Sequence, residues 1–238
     1  MKYIEKDYNA PVVSRHDEEL IFCRLNELSL KDPSNPYASL TGRQLYDMVR
    51  SMKTFADLKQ YLYDEQGGIC CYCGAKLEYP YGAQYRVEHV KPKEKYPELS
   101  GEYKNLLLSC RPSQEEVETR KGTPKKGQKG LMHCDEAKES KEITYSPLNL
   151  DCVNAYAYGI DGSITGIDKA ANKDIETLGL GCEYLKRRRC EAISVWFDDD
   201  ISSEDLLRSK DAIMSRDKKN KLTEFCFVIS NVIEQFLS

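Results

Sequence analysis

Apolar residues recur at helical spacing through the first third of the chain. Between Ser14 and about Leu30, Leu20, Ile21, Leu25 and Leu28 share one side, and Asp32-Pro33-Ser34-Asn35-Pro36 closes the run. The period returns from Gly42 to Ser51 and from Thr54 to Gln66, where Thr54 followed by Asp57 resembles a capping box ahead of Leu58, Tyr61 and Leu62. Gly67-Gly68 ends that helix. Residues 69–110 change character, with short β-prone pieces around Tyr85-Arg86-Val87 and over Lys104–Cys110, the second carrying Leu106-Leu107-Leu108. Tyr156 to Ile164 alternates around Asp161-Gly162 and predicts a hairpin. Helical spacing then resumes. Glu183–Phe197 sets Leu185, Ala192, Ile193 and Trp196 on one stripe, Ser202 opens a further helix, and Phe225, Ile229, Val232 and Phe236 mark a last one. The fold class expected is α+β: an N-terminal helical segment (1–66), a loop-rich core (67–142), and a hairpin with a C-terminal helical segment (143–238).

Composition narrows the function classes. A chain of 238 residues, 40% hydrophobic, can bury a core without disulfide staples. Thirty-five Lys and Arg against thirty-nine Asp and Glu give a net charge of -4, which excludes a polycation that binds nucleic acid by bulk charge. Any such binding must rest on a local patch. There is no run of eighteen apolar residues and no charged-then-apolar leader, so a cytoplasmic protein without membrane contact is expected.

Ten cysteines in a reducing compartment point to metal binding rather than to a disulfide framework. Cys70 and Cys73 form a Cys-x-x-Cys knuckle, whose tight turn can present two thiolates to adjacent corners of a tetrahedron. Cys110 and Cys134 are the candidates for the other two corners, with His133 the main rival for the fourth. Cys71 lacks the two-residue spacing. Cys23, Cys152, Cys182, Cys190 and Cys226 lie among apolar neighbours and read as packing. From Arg120 to Gly130 five basic residues occur without an acid, either a solvated loop or one that contacts phosphate. The cations Lys186-Arg187-Arg188-Arg189 read as a solvated helix face or a partner contact.

Glu88 and His89 are adjacent candidates for acid-base work. Neighbours on a strand point to opposite faces, but at a strand end they diverge less. A carboxylate there can bind Mg²⁺ while the imidazole takes a proton from water. Taken alone, an exposed His-Glu pair without chemistry is the simpler account.

The order of motifs weighs against that simpler account. Cys70-Cys71-Tyr72-Cys73 is followed by Glu88-His89-Val90-Lys91-Pro92-Lys93, by Lys95-Tyr96-Pro97-Glu98-Leu99, by Tyr103-Lys104-Asn105 running into Leu106–Cys110, and by His133-Cys134-Asp135-Glu136-Ala137-Lys138. This order resembles the cysteine-bearing HNH endonucleases, and most closely the PtuB family, the HNH subunits of Septu and of PtuAB-containing retron anti-phage systems. The resemblance runs over roughly residues 67–197 and includes Tyr145-Ser146-Pro147-Leu148 and Ile175–Leu180.

That resemblance implies a ββα-metal core over residues 67–142. Structural Zn²⁺ would be held by Cys70, Cys73, Cys110 and Cys134, and a catalytic Mg²⁺ or Mn²⁺ by Glu88 and Asp135. His89 would be the general base and Asn105 the residue that orients the loop. Asp135 stands where most HNH proteins have His or Asn, a mild departure because carboxylate oxygens bind hard cations well. Lys91, Lys93, Lys95, Arg111 and, more weakly, Lys138 are the expected contacts to nucleic acid, DNA or RNA. The implied partner is a PtuA-like ATPase of the ABC and SMC type, joined in retron versions by a reverse transcriptase and its msDNA. The competing expectation is a catalytically silent zinc-stabilised module that binds nucleic acid or the ATPase.

Overall fold

The computed structural model describes residues 1–27, 40–77, 85–111, 132–197 and 201–237. Leu28, the Asp32–Pro36 closure and the basic loop from Arg120 to Gly130 lie outside them.

The first helix, α1 (Pro11–Glu27), starts on a proline, where the missing N–H leaves no helical bond unmade. Its core side is Val13, His16 and Leu20, whereas Ile21 and Leu25 are 56% and 62% exposed. The apolar side expected from the sequence is therefore rotated in part toward solvent. Helix α2 (Gly42–Ser51) has the bounds expected, buries Leu45 and Val49, and starts with a capping box made by Thr41 and Gln44. At α3 (Phe55–Glu65) the box expected from Thr54 and Asp57 does not form. The Thr54 hydroxyl lies 3.2 Å from His16 Nδ1, and Glu19 of α1 accepts from the Lys53 and Thr54 N–H groups at 3.0 and 2.9 Å. A carboxylate from another helix thus takes the Thr54 N–H that the Asp57 side chain would have received in the box.

Strands β1 (Tyr85–His89) and β2 (Leu106–Cys110) pair antiparallel, from Tyr85 opposite Cys110 to His89 opposite Leu106. Leu106, Leu107 and Leu108 are all 0% exposed, so both faces of β2 are covered. The short helix α4 (Asp135–Lys138) follows. The predicted hairpin is β3 (Tyr156–Tyr158) with β4 (Ile164–Gly166), and α5 (Lys169–Thr177) packs on β4. Helices α6 (Glu183–Ser194), α7 (Ser203–Met214) and α8 (Cys226–Leu237) complete the chain, with Ser202 capping α7 through the Asp205 N–H at 3.2 Å. In α8 the buried stripe runs through Val228, Ile229, Val232 and Ile233, and Phe236, expected on it, is 62% exposed.

The class is α+β, helices with two small antiparallel sheets. Leu58 and Leu62 of α3, the three leucines of β2, and Ile229 and Ile233 of α8 share one apolar core, so residues of all three segments pack together. No helix among the described residues is long and apolar enough to cross a membrane.

Candidate metal centre and active-site cleft

Four thiols converge from three places in the sequence. Cys70 and Cys73 sit on a turn after α3, closed by Cys70 N–H to Ala75 O at 2.8 Å and by Gly74 N–H to Cys70 O at 3.1 Å. Cys110 ends β2 and Cys134 precedes α4, held at φ 57° with its N–H on Leu178 O at 2.7 Å. The Sγ atoms all lie within 4.8 Å of one another, with 3.8 Å for Cys70 to Cys134, 3.6 Å for Cys73 to Cys110 and 3.7 Å for Cys110 to Cys134. A zinc–sulfur bond of about 2.3 Å gives a tetrahedral edge of about 3.8 Å, so the thiols match the shape of a four-sulfur metal site. Backbone N–H groups of Cys110 and Ala75 point at the sulfurs of Cys70 and Cys73, at 3.3 and 3.4 Å, and favour thiolates. Burial opposes ionisation of Cys70, yet the thiols of Cys110 and Cys134 beside it bring it well below its ordinary value. The cluster is able to hold a metal ion such as zinc. His133 stands outside the four-thiol set, its Nδ1 3.4 Å from Cys134 Sγ and its ring stacked on Tyr184. Cys71 also stays outside, its thiol pushed up by burial.

Next to this cluster a cleft of about 860 Å³ opens between α2, α3, β1 and α4. His89, the last residue of β1, lines it, with its ring edge-on to Tyr46 at 4.5 Å. Its Nε2 lies 3.0 Å from the carbonyl of Ser100, an atom that can only accept, so Nε2 carries the proton and Nδ1 keeps its lone pair. Burial, and then the charge of Lys93, lower its pKa to about 4, which leaves the imidazole neutral near pH 7.

Glu88 is not among the residues that line the cleft and is 2% exposed. Its Oε1 accepts from the Tyr72 hydroxyl at 2.6 Å and pairs with Lys138 Nζ at 2.7 Å. Burial and the neighbouring carboxyl of Asp135 push Glu88 up to about 8 despite Lys138. Asp135 does line the cleft. Arg86 Nε approaches it at 3.1 Å, too bent for a hydrogen bond. Two adjoining carboxyls, one raised by the other, form a donor set that suits a hard divalent cation.

Asn105 is buried outside the cleft, where it staples the loop between the strands. It accepts from the Lys91 N–H at 2.7 Å and donates to the carbonyls of Lys91 and Leu99 at 3.0 and 3.2 Å. That loop carries Ser100, which orients His89.

The expected nucleic-acid contacts divide. Lys93 and Arg111 line the cleft. Lys91 and Lys95 do not, and pair instead with Glu142 at 2.6 and 3.5 Å. Lys138 is a correction: at 1% exposure, bound to Glu88 and to His89 O at 2.9 Å, it is an internal counter-charge that no backbone phosphate reaches. Arg189 likewise is no solvated cation, being 1% exposed and donating to Gly162 O and Leu180 O at 2.7 and 2.9 Å. Sequence reasoning missed Arg43, Tyr46 and Arg50 of α2, together with Lys59 and Arg86, all of which line the cleft. The signal lay in their spacing, since positions 43, 46 and 50 fall on one helical face beside the buried Leu45 and Val49. The chain matches no protein-family model and no curated relative.

Proposed function

We propose that this protein is a metal-dependent endonuclease of the HNH type that hydrolyses phosphodiester bonds in the cleft at His89. The observation that carries the reading is the state of that histidine. It is buried and neutral, with Nε2 anchored on Ser100 O, and its Nδ1 makes no hydrogen bond among the described residues. A base for water needs that arrangement, and the Glu88–Asp135 carboxyl pair adjoins it. The succession β1, β2, α4 around these residues supports a ββα-metal core.

In this reading Nδ1 of His89 takes the proton of the attacking water. Asp135, backed by Glu88, holds Mg²⁺ or Mn²⁺ from the acidic side, and Lys138 keeps Glu88 and α4 together. The bound cation would neutralise the scissile phosphate and the departing 3′-oxygen. Four thiolates leave a zinc ion no open position, so Zn²⁺ at the cysteines is structural. The resemblance to PtuB supports, as part of the proposal, a role as the effector subunit of an anti-phage complex with a PtuA-like ATPase in the cytoplasm. In a retron version the reverse transcriptase and its msDNA would join it.

One observation favours a second reading, the silent zinc-stabilised binding module. Glu88 Oε1 is committed to Tyr72 and Lys138, so only part of that carboxyl is open to a metal. Cleavage separates the two. The chain with its ATPase is incubated with plasmid DNA and with total RNA, in Mg²⁺ and in EDTA, beside His89→Ala of matched zinc content. The nuclease reading expects Mg²⁺-dependent cutting, reduced about a hundredfold or more in the variant. Equal cutting by both proteins, or none by either, overturns it.

A further inference from the structure

The charges that line the cleft come from separate elements. Asp135, Glu136 and Glu139 belong to α4 and its C-cap. Arg43 and Arg50 come from α2, Lys59 from α3, and Arg111 follows β2. Lys93, paired with Glu94 at 3.4 Å, and Arg86, beside Asp135, are already met by acids.

The cations from α2, α3 and Arg111 are crowded and poorly compensated. Burial lowers the pKa of Lys59, and Arg111 and Arg50 lower it further. Its ammonium lies 4.8 Å over the ring of Tyr85. Among the described residues Arg50 meets only Asp47, at 3.6 Å, with both side chains more than half exposed. Among the described residues Arg43, Lys59 and Arg111 have no ion-pair partner. Like charges gathered in a recess raise the energy of the folded state until an anion meets them. The rise of seven helical residues sets the Arg43 and Arg50 backbones about 10.5 Å apart, and Lys59 and Arg111 come from other elements, so the cations are spread along the cleft wall. A single phosphate, with a charge of at most about -2 near pH 7, leaves part of this set of four cations unmatched, whereas a polyanion spans it.

We propose that Arg43, Arg50 and Lys59, with Arg111, form a phosphate-backbone subsite that holds a nucleic-acid strand on the α2–α3 side of the scissile bond. The subsite deepens the nuclease reading and rests on it. Asp135, backed by Glu88, would hold the divalent cation, and the basic set draws the phosphates that flank the one being cut.

The test is the salt dependence of binding, read by fluorescence anisotropy with a fluorescein-labelled DNA duplex and an RNA single strand. The full chain carrying His89→Ala is used so that nothing is cut. Each phosphate contact adds about 0.9 to the slope of log affinity against log salt on duplex DNA, and about 0.7 on a single strand. Adding Arg43→Gln, Arg50→Gln and Lys59→Gln is expected to flatten that slope by about 2 or more. Adding Lys173→Gln, Arg208→Gln and Lys210→Gln instead removes the same net charge from helices away from the cleft and is expected to leave the slope alone. Arg43→Lys with Arg50→Lys keeps charge and is expected to keep the slope, which separates charge from helix damage. An unchanged slope in the first triple variant, in a protein whose native form still cuts, overturns the subsite and leaves the nuclease reading standing. If the native chain cuts nothing and the His89→Ala chain binds neither probe, the nuclease reading and the subsite fall together.

Discussion

Glu88 and Lys138 are the pair on which the residue-scale argument turns. Their contact is 2.7 Å long, with side chains 2% and 1% exposed. Removing one partner of a buried pair costs about 3–5 kcal/mol, and Lys138→Met should fall at the low end because Glu88 can hold its proton. The deficit should be larger at about pH 8.5 than at about pH 6, where the proton is held without effort, and urea denaturation at both values checks it. Glu88 itself has a defined sign. Its pKa is raised from 4.5 to about 8, so the folded protein keeps a proton that the unfolded chain releases. That contribution to stability is present at low pH and fades as pH rises from 4.5 to about 8. Other groups titrate over the same range, so the quantity to read is native minus Glu88→Gln, in Mg²⁺-free buffer. The difference in Tm should drift against the native protein as pH rises. Mn²⁺ should stabilise the native chain increasingly over the same range, because the cation displaces the proton, and should stabilise Glu88→Gln little.

Elements meet at the cysteines. A metal held by Cys70, Cys73, Cys110 and Cys134 would link the turn after α3, the end of β2 and the start of α4, and α4 carries Asp135 and Lys138. Cys110→Ser should therefore lose zinc, lower Tm and also abolish the response to Mn²⁺, measured by metal content and thermal melting on the same sample. How much of this was legible depends on how far apart the partners lie in sequence. The bounds of α2 followed from local spacing, and the Cys-x-x-Cys knuckle and Glu88-His89 stood out as motifs. The cap of α3 did not, because Glu19 reaches Thr54 across thirty-five positions. The capping box that does exist, Thr41 with Gln44, is local, and Thr41→Ala should cost about 1 kcal/mol in urea denaturation. The role of Lys138 is hidden for the same reason as the α3 cap: one turn of helix shows its charge but not the carboxylate that receives it. The face of α2 formed by Arg43, Tyr46 and Arg50 is legible in period, but only the fold connects it to His89.

At the scale of the whole molecule the C-terminal helix closes over the metal-binding turn. Phe225 N–H donates to Gly74 O at 2.9 Å, and Lys76 N–H to Glu224 Oε1 at 2.9 Å. Gly74 has φ +80°, and a Cβ built on it would lie 2.6 Å from the ring of Phe227. Two separable penalties follow for Gly74→Ala. The left-handed backbone costs an ordinary residue about 1–3 kcal/mol, and the methyl group must displace the ring of a residue one hundred and fifty-three positions away in the sequence. Phe227→Ala removes the ring and leaves the backbone penalty in place. In a double-mutant cycle, Gly74→Ala should therefore cost less in the Phe227→Ala background than in the native one, by about 0.5–3 kcal/mol. Zinc release to a chromogenic chelator should follow the same order, fastest relative to its background when the methyl group and the ring are both present. Strict additivity would mean that α8 does not press on the turn. Coupling in both readouts would mean that the last helix of the chain helps to hold the four thiols, and through α4 the carboxyls beside His89.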